Sequence, residues 1–364
     1  MEEPNGEERR TVYLLGLTSM INDASSEAIY AILPYYVDNL ALIGLFGGLF
    51  NGLGNALKLV FGYLSDRFAR RKPLVMLGYL VSAASKTSMA LVSSALLPVL
   101  IVLDRIGKGI RDSPRDAILS TVRARGFAFS VHRALDTTGA LLGTLLAYYL
   151  LSNVGDYRFA MLVAGMLGFF TIFPLLFVPE PKGALLRRSF GDALAHLSAG
   201  VKHFLLPAVL FGFAAISPML FITTAKTEES FYAILLYALY NLFYVLSATF
   251  IGRSSDRFGR GRIMILGGTL IALAYLAMYA GSYVLGFLLY GLGIGAFLPA
   301  AFAHIGDVSK ERGTAMGVFQ SVYGISVLIS STLFGYLLGI LGPLTFVLYA
   351  VFPVAAVLSV LSLR

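Results

Sequence analysis

Twelve apolar stretches govern what this chain can fold into, at about residues 11 to 37, 40 to 63, 73 to 92, 97 to 120, 127 to 151, 157 to 178, 202 to 223, 230 to 251, 263 to 281, 283 to 304, 313 to 338 and 342 to 363. A helix that crosses a bilayer needs roughly 20 predominantly apolar residues. The 364 residues divided among twelve spans leave roughly 30 for each span and its loop, little more than a crossing requires. The expected fold class is therefore an all-α membrane protein with twelve transmembrane helices. Composition agrees: 57% of residues are hydrophobic and only 13% are charged, about half the charged share of a soluble domain, roughly 25%. The acidic start, with Glu2, Glu3, Glu7 and Glu8, does not read as a cleaved targeting segment. Without cysteine the chain has no disulfide, thiolate nucleophile or Cys-ligated metal.

The net charge of +8 has a topological explanation. Lys and Arg gather on alternate connections: Arg9 and Arg10; Arg67, Arg70, Arg71 and Lys72; Arg123 and Arg125; Lys182, Arg187 and Arg188; Arg253, Arg257, Arg260 and Arg262; Lys310 and Arg312; and Arg364. The intervening loops hold only Arg158 and Lys226. The positive-inside rule then places both termini in the cytoplasm of a cell whose cytoplasmic membrane the chain crosses many times. A nucleic-acid partner is not needed to account for the charge. The polar stretch around Pro179 and Pro181 falls midway along the chain, and its prolines oppose a continuous helix. The expected organisation is an N-terminal six-helix bundle at 1–178, a cytoplasmic linker at 179–201 and a C-terminal six-helix bundle at 202–364.

An internal repeat supports two halves. Gly62, Asp66, Arg67, Arg70 and Lys72 recur as Gly252, Asp256, Arg257, Arg260 and Arg262 at an offset of 190; Gly107 and Gly109 recur as Gly293 and Gly295 at 186; Arg125, Gly126 and Ala128 recur as Arg312, Gly313 and Ala315 at 187. Three matches in one order at nearly one offset indicate duplication. Six spans per half make both halves enter the membrane in the same direction.

These residues carry a resemblance over essentially the whole length: the chain resembles the major facilitator superfamily. The loop after span two, with Gly62, Asp66, Arg67, Arg70, Arg71 and Lys72, and its second copy at 252 to 262 are similar to the superfamily's loop signature. Arg105 with Gly107 and Gly109 is similar to its second motif, and residues 104 to 116 resemble a poorly characterised prokaryotic subgroup. The resemblance implies two bundles around a cavity that opens alternately to each side. It also implies a conformational latch at Gly62, Asp66, Arg67 and Arg70 and, in the second half, at Asp256, Arg257, Arg260 and Asp307. Three departures stand out: Ala69 where glycine is usual, Thr121 near where an acidic partner often closes the first latch, and no proline after Gly139, Gly143 and Thr144. The last weakens an antiport assignment.

The charges within the spans are concentrated in the first five. Six acids (Asp23, Glu27, Asp104, Asp112, Asp116 and Asp136) stand against seven bases (Lys58, Lys86, Arg105, Lys108, Arg111, Arg115 and Arg133). A charge at the bilayer centre costs about 2.5 to 3.5 kcal/mol even on insertion scales, so these groups face protein, water or one another. At 100° per residue, Asp104, Lys108, Arg111 and Arg115 share an arc of about 60°, with Arg105, Asp112 and Asp116 in a stripe beside it. Either stripe could line a cavity, and a purely structural ion-pair network is the alternative. Asp23, Glu27, Tyr30 and Pro34 lie on one arc of span one. Glu27 is the preferred proton-exchanging group and Asp23 the next, unless both only neutralise the bases of span four. Lys86 is equally open, and His132 with Asp136 offers too few ligands for a metal. In the second half Tyr237, Tyr240, Asn241, Tyr244, Gln320 and Tyr323 are amphipathic or polar candidates for the less polar part of a ligand, with core packing as the alternative. No cofactor and no resident metal are expected.

The leading function is a monomeric secondary transporter for a small organic solute, anionic or amphipathic, coupled to protons and compatible with export. The alternative within transport is a cation or metal uniporter using Asn22, Asp23, Ser25 and Glu27 as oxygen ligands, which the nearby bases oppose. A membrane enzyme or sensor is the alternative outside it. The chain lacks a Gly-x-x-x-x-Gly-Lys-Ser/Thr phosphate loop, and four histidines without cysteine offer little for catalysis.

Overall fold

The computed structural model describes residues 5–58, 60–61, 71–180, 198–227, 230–309 and 312–362. Among them the chain forms twelve helical rods and no β-sheet. These are α1 (Gly6–Tyr36), α2 (Leu40–Ala56, with a π-helical turn at Leu49–Leu53), α3 (Lys72–Met89), α4 (Leu97–Leu119), α5 (Arg125–Val154) and α6 (Tyr157–Leu176). They continue with α7 (Ala199–Ala225), α8 (Tyr232–Phe258), α9 (Arg260–Tyr279), α10 (Tyr283–Val308), α11 (Arg312–Leu341) and α12 (Leu344–Leu361). All of α5 to α12 are long and apolar enough to cross a membrane. Three of the other four, α1, α3 and α4, carry the interior charges found in the sequence.

Local chemistry fixes where helices begin. Asn5 and Glu8 cap α1 reciprocally: the Glu8 backbone N–H donates to Asn5 Oδ1 at 2.8 Å, and the Asn5 N–H donates to Glu8 Oε2 at 2.9 Å. This is a capping box. The Asn5 and Arg123 backbone amides hold the Glu8 carboxyl below its ordinary value. Asn39, Asp156 and Ser198 cap α2, α6 and α7 with side-chain oxygens. Gly259, at φ +93°, is the single-residue turn between α8 and α9, a backbone conformation that glycine adopts without a Cβ penalty.

The contacts form two compact units, residues 1–32 with 60–187 and residues 33–59 with 188–364. In the first, α3 and α4 meet through facing glycines. A Cβ on Gly78 would lie 2.6 Å from the Gly107 carbonyl oxygen, and one on Gly107 would lie 2.8 Å from that of Gly78. In the second, α9 and α10 repeat the arrangement, with Gly267 2.8 Å by the same measure from the Gly293 oxygen. Gly107 and Gly293 are the matched positions of the sequence repeat, so duplication preserved a backbone-to-backbone contact of the kind small residues permit in membranes. Gly291 and Gly295 admit the backbone of α8 on the neighbouring face of α10.

Within the second unit α2 packs along α11. Gly44 faces Gly335 and the Ser331 carbonyl, Gly48 faces Leu328, and Gly52 faces the Gly324 carbonyl. At the end of this seam Lys58 Nζ donates to Gln320 Oε1 at 2.7 Å. In α7, helical geometry breaks between Ala214 and Pro218. Backbone groups freed inside a bilayer must find partners in the protein, and here they do. Ser330 Oγ donates to the Phe213 carbonyl at 2.7 Å, Tyr275 to Ala214 at 2.5 Å and Tyr290 to Ile216, while the Ser217 N–H donates to Ser331 Oγ at 3.0 Å.

The α3–α4 contact leaves no room for a side chain at Gly78. Gly78→Leu is expected to destabilise the protein by about 1–3 kcal/mol through overpacking, seen as a lower melting temperature in detergent, with Gly267→Leu behaving alike. Melting temperatures equal to that of the parent would refute this packing.

Candidate functional site

The first unit gathers its charges on α1, α3, α4 and α5. Lys86 of α3 has no exposed surface, and its Nζ donates at 3.1 Å to both Asn22 Oδ1 and Ser26 Oγ of α1. Asp104 of α4, equally buried, accepts from Ser82 of α3 and from Arg105, whose Nε lies at 2.9 Å. The two helices meet at Gly78 and Gly107, so Ser82, one turn beyond Gly78, falls opposite Asp104. Each buried ion thus has both a counter-charge or dipole and a hydrogen bond, which a buried charge requires.

Further along the same arc the compensation is incomplete. Arg111 is buried, with its guanidinium carbon 4.6 Å from the centre of the Tyr79 ring. Its Nε approaches Asp112 Oδ1 only to 3.6 Å, and Nε and Nη1 make no hydrogen bond with the described residues. The Tyr79 hydroxyl is likewise unpartnered. Lys108, one turn before, is half-buried and makes no ion pair or hydrogen bond among the described residues. It acts electrostatically on Asp23. By contrast Arg115 pairs with Asp112 at 3.2 Å and Asp116 at 2.9 Å.

On α1, Asp23 and Glu27 are half-buried and Tyr30 is buried. Asp136 of α5 accepts from Ser19 Oγ at 2.5 Å. His132 is buried, and its Nε2 makes no hydrogen bond with the described residues. Among the described residues no group of three or more His, Cys, Asp or Glu is placed to hold a metal ion. The sequence reading missed Ser19, Ser26, Tyr79 and Ser82. Helical spacing was the available signal: Ser19 is four residues from Asp23, and Ser82 and Tyr79 are four and seven from Lys86.

The second unit offers an aromatic surface. Tyr237, Tyr240 and Tyr244 stack in succession along α8 with ring centres 5.7 and 6.3 Å apart, and Tyr240 stacks on Tyr290 at 5.7 Å. Asn241 Nδ2 has no hydrogen-bond partner among the described residues. Tyr323 packs between Phe297 and Phe319, and Gln320 takes the hydrogen bond from Lys58. At one end of this unit Arg260 bridges two acids, pairing with Asp256 and, through Nε at 3.2 Å, with Asp307. The Gly259 turn places Arg260 for both. Arg257 is exposed beside Phe258. The first-half counterparts Gly62, Asp66, Arg67 and Arg70 lie outside the described residues.

Comparison with known proteins gives one family. The model described as "Major Facilitator Superfamily" matches residues 15–233 and 208–364. The chain is 36% identical to an uncharacterized MFS-type transporter of Methanocaldococcus jannaschii, over 94% of this chain and 92% of that protein. It is 31% identical to the multidrug resistance protein MdtH of Aeromonas hydrophila, over 44% of this chain and 43% of that protein. Among solved structures, the nucleoside transporter NupG superposes with a TM-score of 0.77 at 13% identity, over 98% of this chain and 99% of that one; this is a likeness of fold.

The Asp104–Arg105 pair yields a stability prediction. Arg105→Gln alone leaves a buried carboxylate without its counter-charge and is expected to cost about 3–5 kcal/mol. Asp104→Asn/Arg105→Gln removes both charges and is expected to cost less than either single change. Thermal unfolding of the three variants decides this; additive losses in the double variant would show the two charges to be uncoupled.

Proposed function

From the chain's membership of the Major Facilitator Superfamily, a family of multi-pass membrane transporters rather than enzymes, we propose that it is a proton-coupled secondary transporter of a small organic anion or amphipathic anion. It works by alternating access as a monomer in the cytoplasmic membrane, with both termini in the cytoplasm. The observation that carries the anion assignment is the pair Lys108 and Arg111, adjacent on one stripe of α4, whose cationic donors the described residues do not satisfy. An uncompensated cation inside a bilayer is expensive, and a carboxylate or phosphate on the solute would supply both countercharge and acceptors. Within the second unit the stacked tyrosines of α8, with Asn241, offer an amphipathic surface of their own. The eighteen-to-two loop bias supports the orientation. The partial similarity to a multidrug resistance protein favours outward movement. Asp256, Arg260 and Asp307 are assigned to a latch that holds one state of the cycle.

A panel of organic anions read by thermal shift, followed by uptake into liposomes with an imposed pH gradient, tests the assignment. Anions that stabilise the parent are expected to bind Lys108→Gln roughly 10-fold or more weakly, the loss of one charge-assisted hydrogen bond. Arg115→Gln, whose side chain already has two acidic partners, should change affinity less. Equal losses at the two positions would favour a structural network over a binding role.

The latch has its own test. Asp256→Asn is expected to keep membrane insertion and shift the populations of inward-open and outward-open states, read as spin-label distances between the halves. Unchanged distance distributions would reject it.

A further inference from the structure

Where α8 turns into α9, the second unit has a cavity of about 640 Å³, within the roughly 300–1,000 Å³ of small-molecule pockets. Arg257 and Arg262 line it from either side of the Gly259 turn, and Met264 of α9 and Val360 of α12 give it a buried apolar wall. Phe258 lines it too and is exposed beside Arg257. The surface next to the cavity is apolar on three helices: Phe258 of α8, Leu266 of α9, and Leu358 and Leu361 of α12 are all exposed. On helices long and apolar enough to cross a membrane, such side chains face acyl chains, and a concentration of them beside a polar rim marks a membrane contact.

The cations at this turn are unequally compensated. Arg260 pairs with Asp256 and Asp307, so Asp256, which also lines the cavity, already has a partner. Arg257 and Arg262 make no ion pair and no hydrogen bond among the described residues. The guanidinium carbon of Arg257 lies 5.6 Å from the centre of the Phe258 ring. The positive-inside rule accounts for bases at this end of the helices, but not for two of them lining one cavity with an apolar wall. Guanidinium groups bind phosphate oxygens through paired, charge-assisted hydrogen bonds, and basic pockets between membrane helices take anionic lipid headgroups. A free phosphate would use the arginines and leave Met264, Val360 and Phe258 without a role; a phospholipid uses both, with its phosphate at the arginines and its glycerol and first methylenes along the apolar wall.

We propose that this cavity is a binding site for the headgroup of an anionic phospholipid, with Arg257 and Arg262 as its phosphate ligands. Neither the nature of the transported solute nor its coupling enters this assignment. The lipid would sit on the turn that carries Arg260 and next to the Asp256–Arg260–Asp307 group.

The test titrates the full chain, purified in detergent and stripped of lipid, with phosphatidylglycerol, with phosphatidylcholine and with inorganic phosphate. Binding is read as lipid retained in native mass spectrometry and as a rise in melting temperature. Phosphatidylglycerol is expected to be retained and to stabilise, and the other two at equal concentration to do neither. Arg257→Gln/Arg262→Gln should bind phosphatidylglycerol roughly 10-fold or more weakly. Gly261→Leu keeps both charges and fills the cavity. A Cβ there meets only Val360, at 3.6 Å, so this variant should keep the parent's lipid-free melting temperature while losing the lipid to a similar extent. Arg9→Gln/Arg10→Gln removes as much charge from the start of α1 and should bind like the parent. Undiminished binding in either cavity variant, or an equal loss in the Arg9 and Arg10 variant, would overturn the site in favour of diffuse attraction. Stabilisation by phosphate or phosphatidylcholine equal to that by phosphatidylglycerol would overturn the anionic lipid as its occupant.

Discussion

Asp104, Lys86 and Arg111 lie in the interior of the first unit with little or no exposed surface. Apolar packing cannot accommodate them, since an ion taken out of water must be repaid by a counter-charge and hydrogen bonds. That requirement ties four helices together. Lys86 draws α3 to α1 through Asn22 and Ser26. Asp104 draws α4 to α3 through Ser82, and Asp136 draws α5 to α1 through Ser19. The repayment is left incomplete at Arg111, whose Nε and Nη1 make no hydrogen bond with the described residues.

The second unit meets the same bilayer with a different problem. It has few interior charges, so the groups at stake are those of the backbone. The break in α7 frees carbonyls and an N–H that no water in the hydrocarbon region could solvate. Tyr275, Tyr290, Ser330 and Ser331 supply the partners. Two of these are tyrosines with large aromatic bodies, and they join the stack that runs through Tyr240 and Phe221. Polar satisfaction and apolar packing are therefore met by the same side chains.

Duplication and divergence both appear in these contacts. The glycine pair joining α3 to α4 and the one joining α9 to α10 are the same device at matched positions. Around it the chemistry differs: Asp104, Arg105 and Lys108 correspond to Tyr290, Gly291 and Ile294. One half has become charged and the other neutral and aromatic, a divergence that the shared glycine contact survived.

Much of this was legible in the sequence because it is periodic or local. Span length and hydropathy determined twelve helices, the offset near 188 determined two related halves, and the 100° step put Asp104, Lys108 and Arg111 on one arc. The capping residues at Asn5 and Asn39 are local as well. What the sequence left open concerns how helices rotate and slide against each other, which no single helix encodes. It offered Gly139 and Gly143 only as a fragment of a motif without its proline; their depth against Met20 and Ala24 is what brings Asp136 to Ser19. It left Lys58 as one more interior base, and the α2–α11 seam gave it Gln320, more than 250 residues away. Its signal for the interruption of α7 was local, Ser217 followed by Pro218, and did not extend to the serine and tyrosine partners, which come from α9, α10 and α11. Sequence determined which residues had to be compensated inside the membrane; only tertiary packing decided which partner compensates each, because a buried charge or carbonyl is satisfied by whatever neighbouring helices bring within hydrogen-bonding distance.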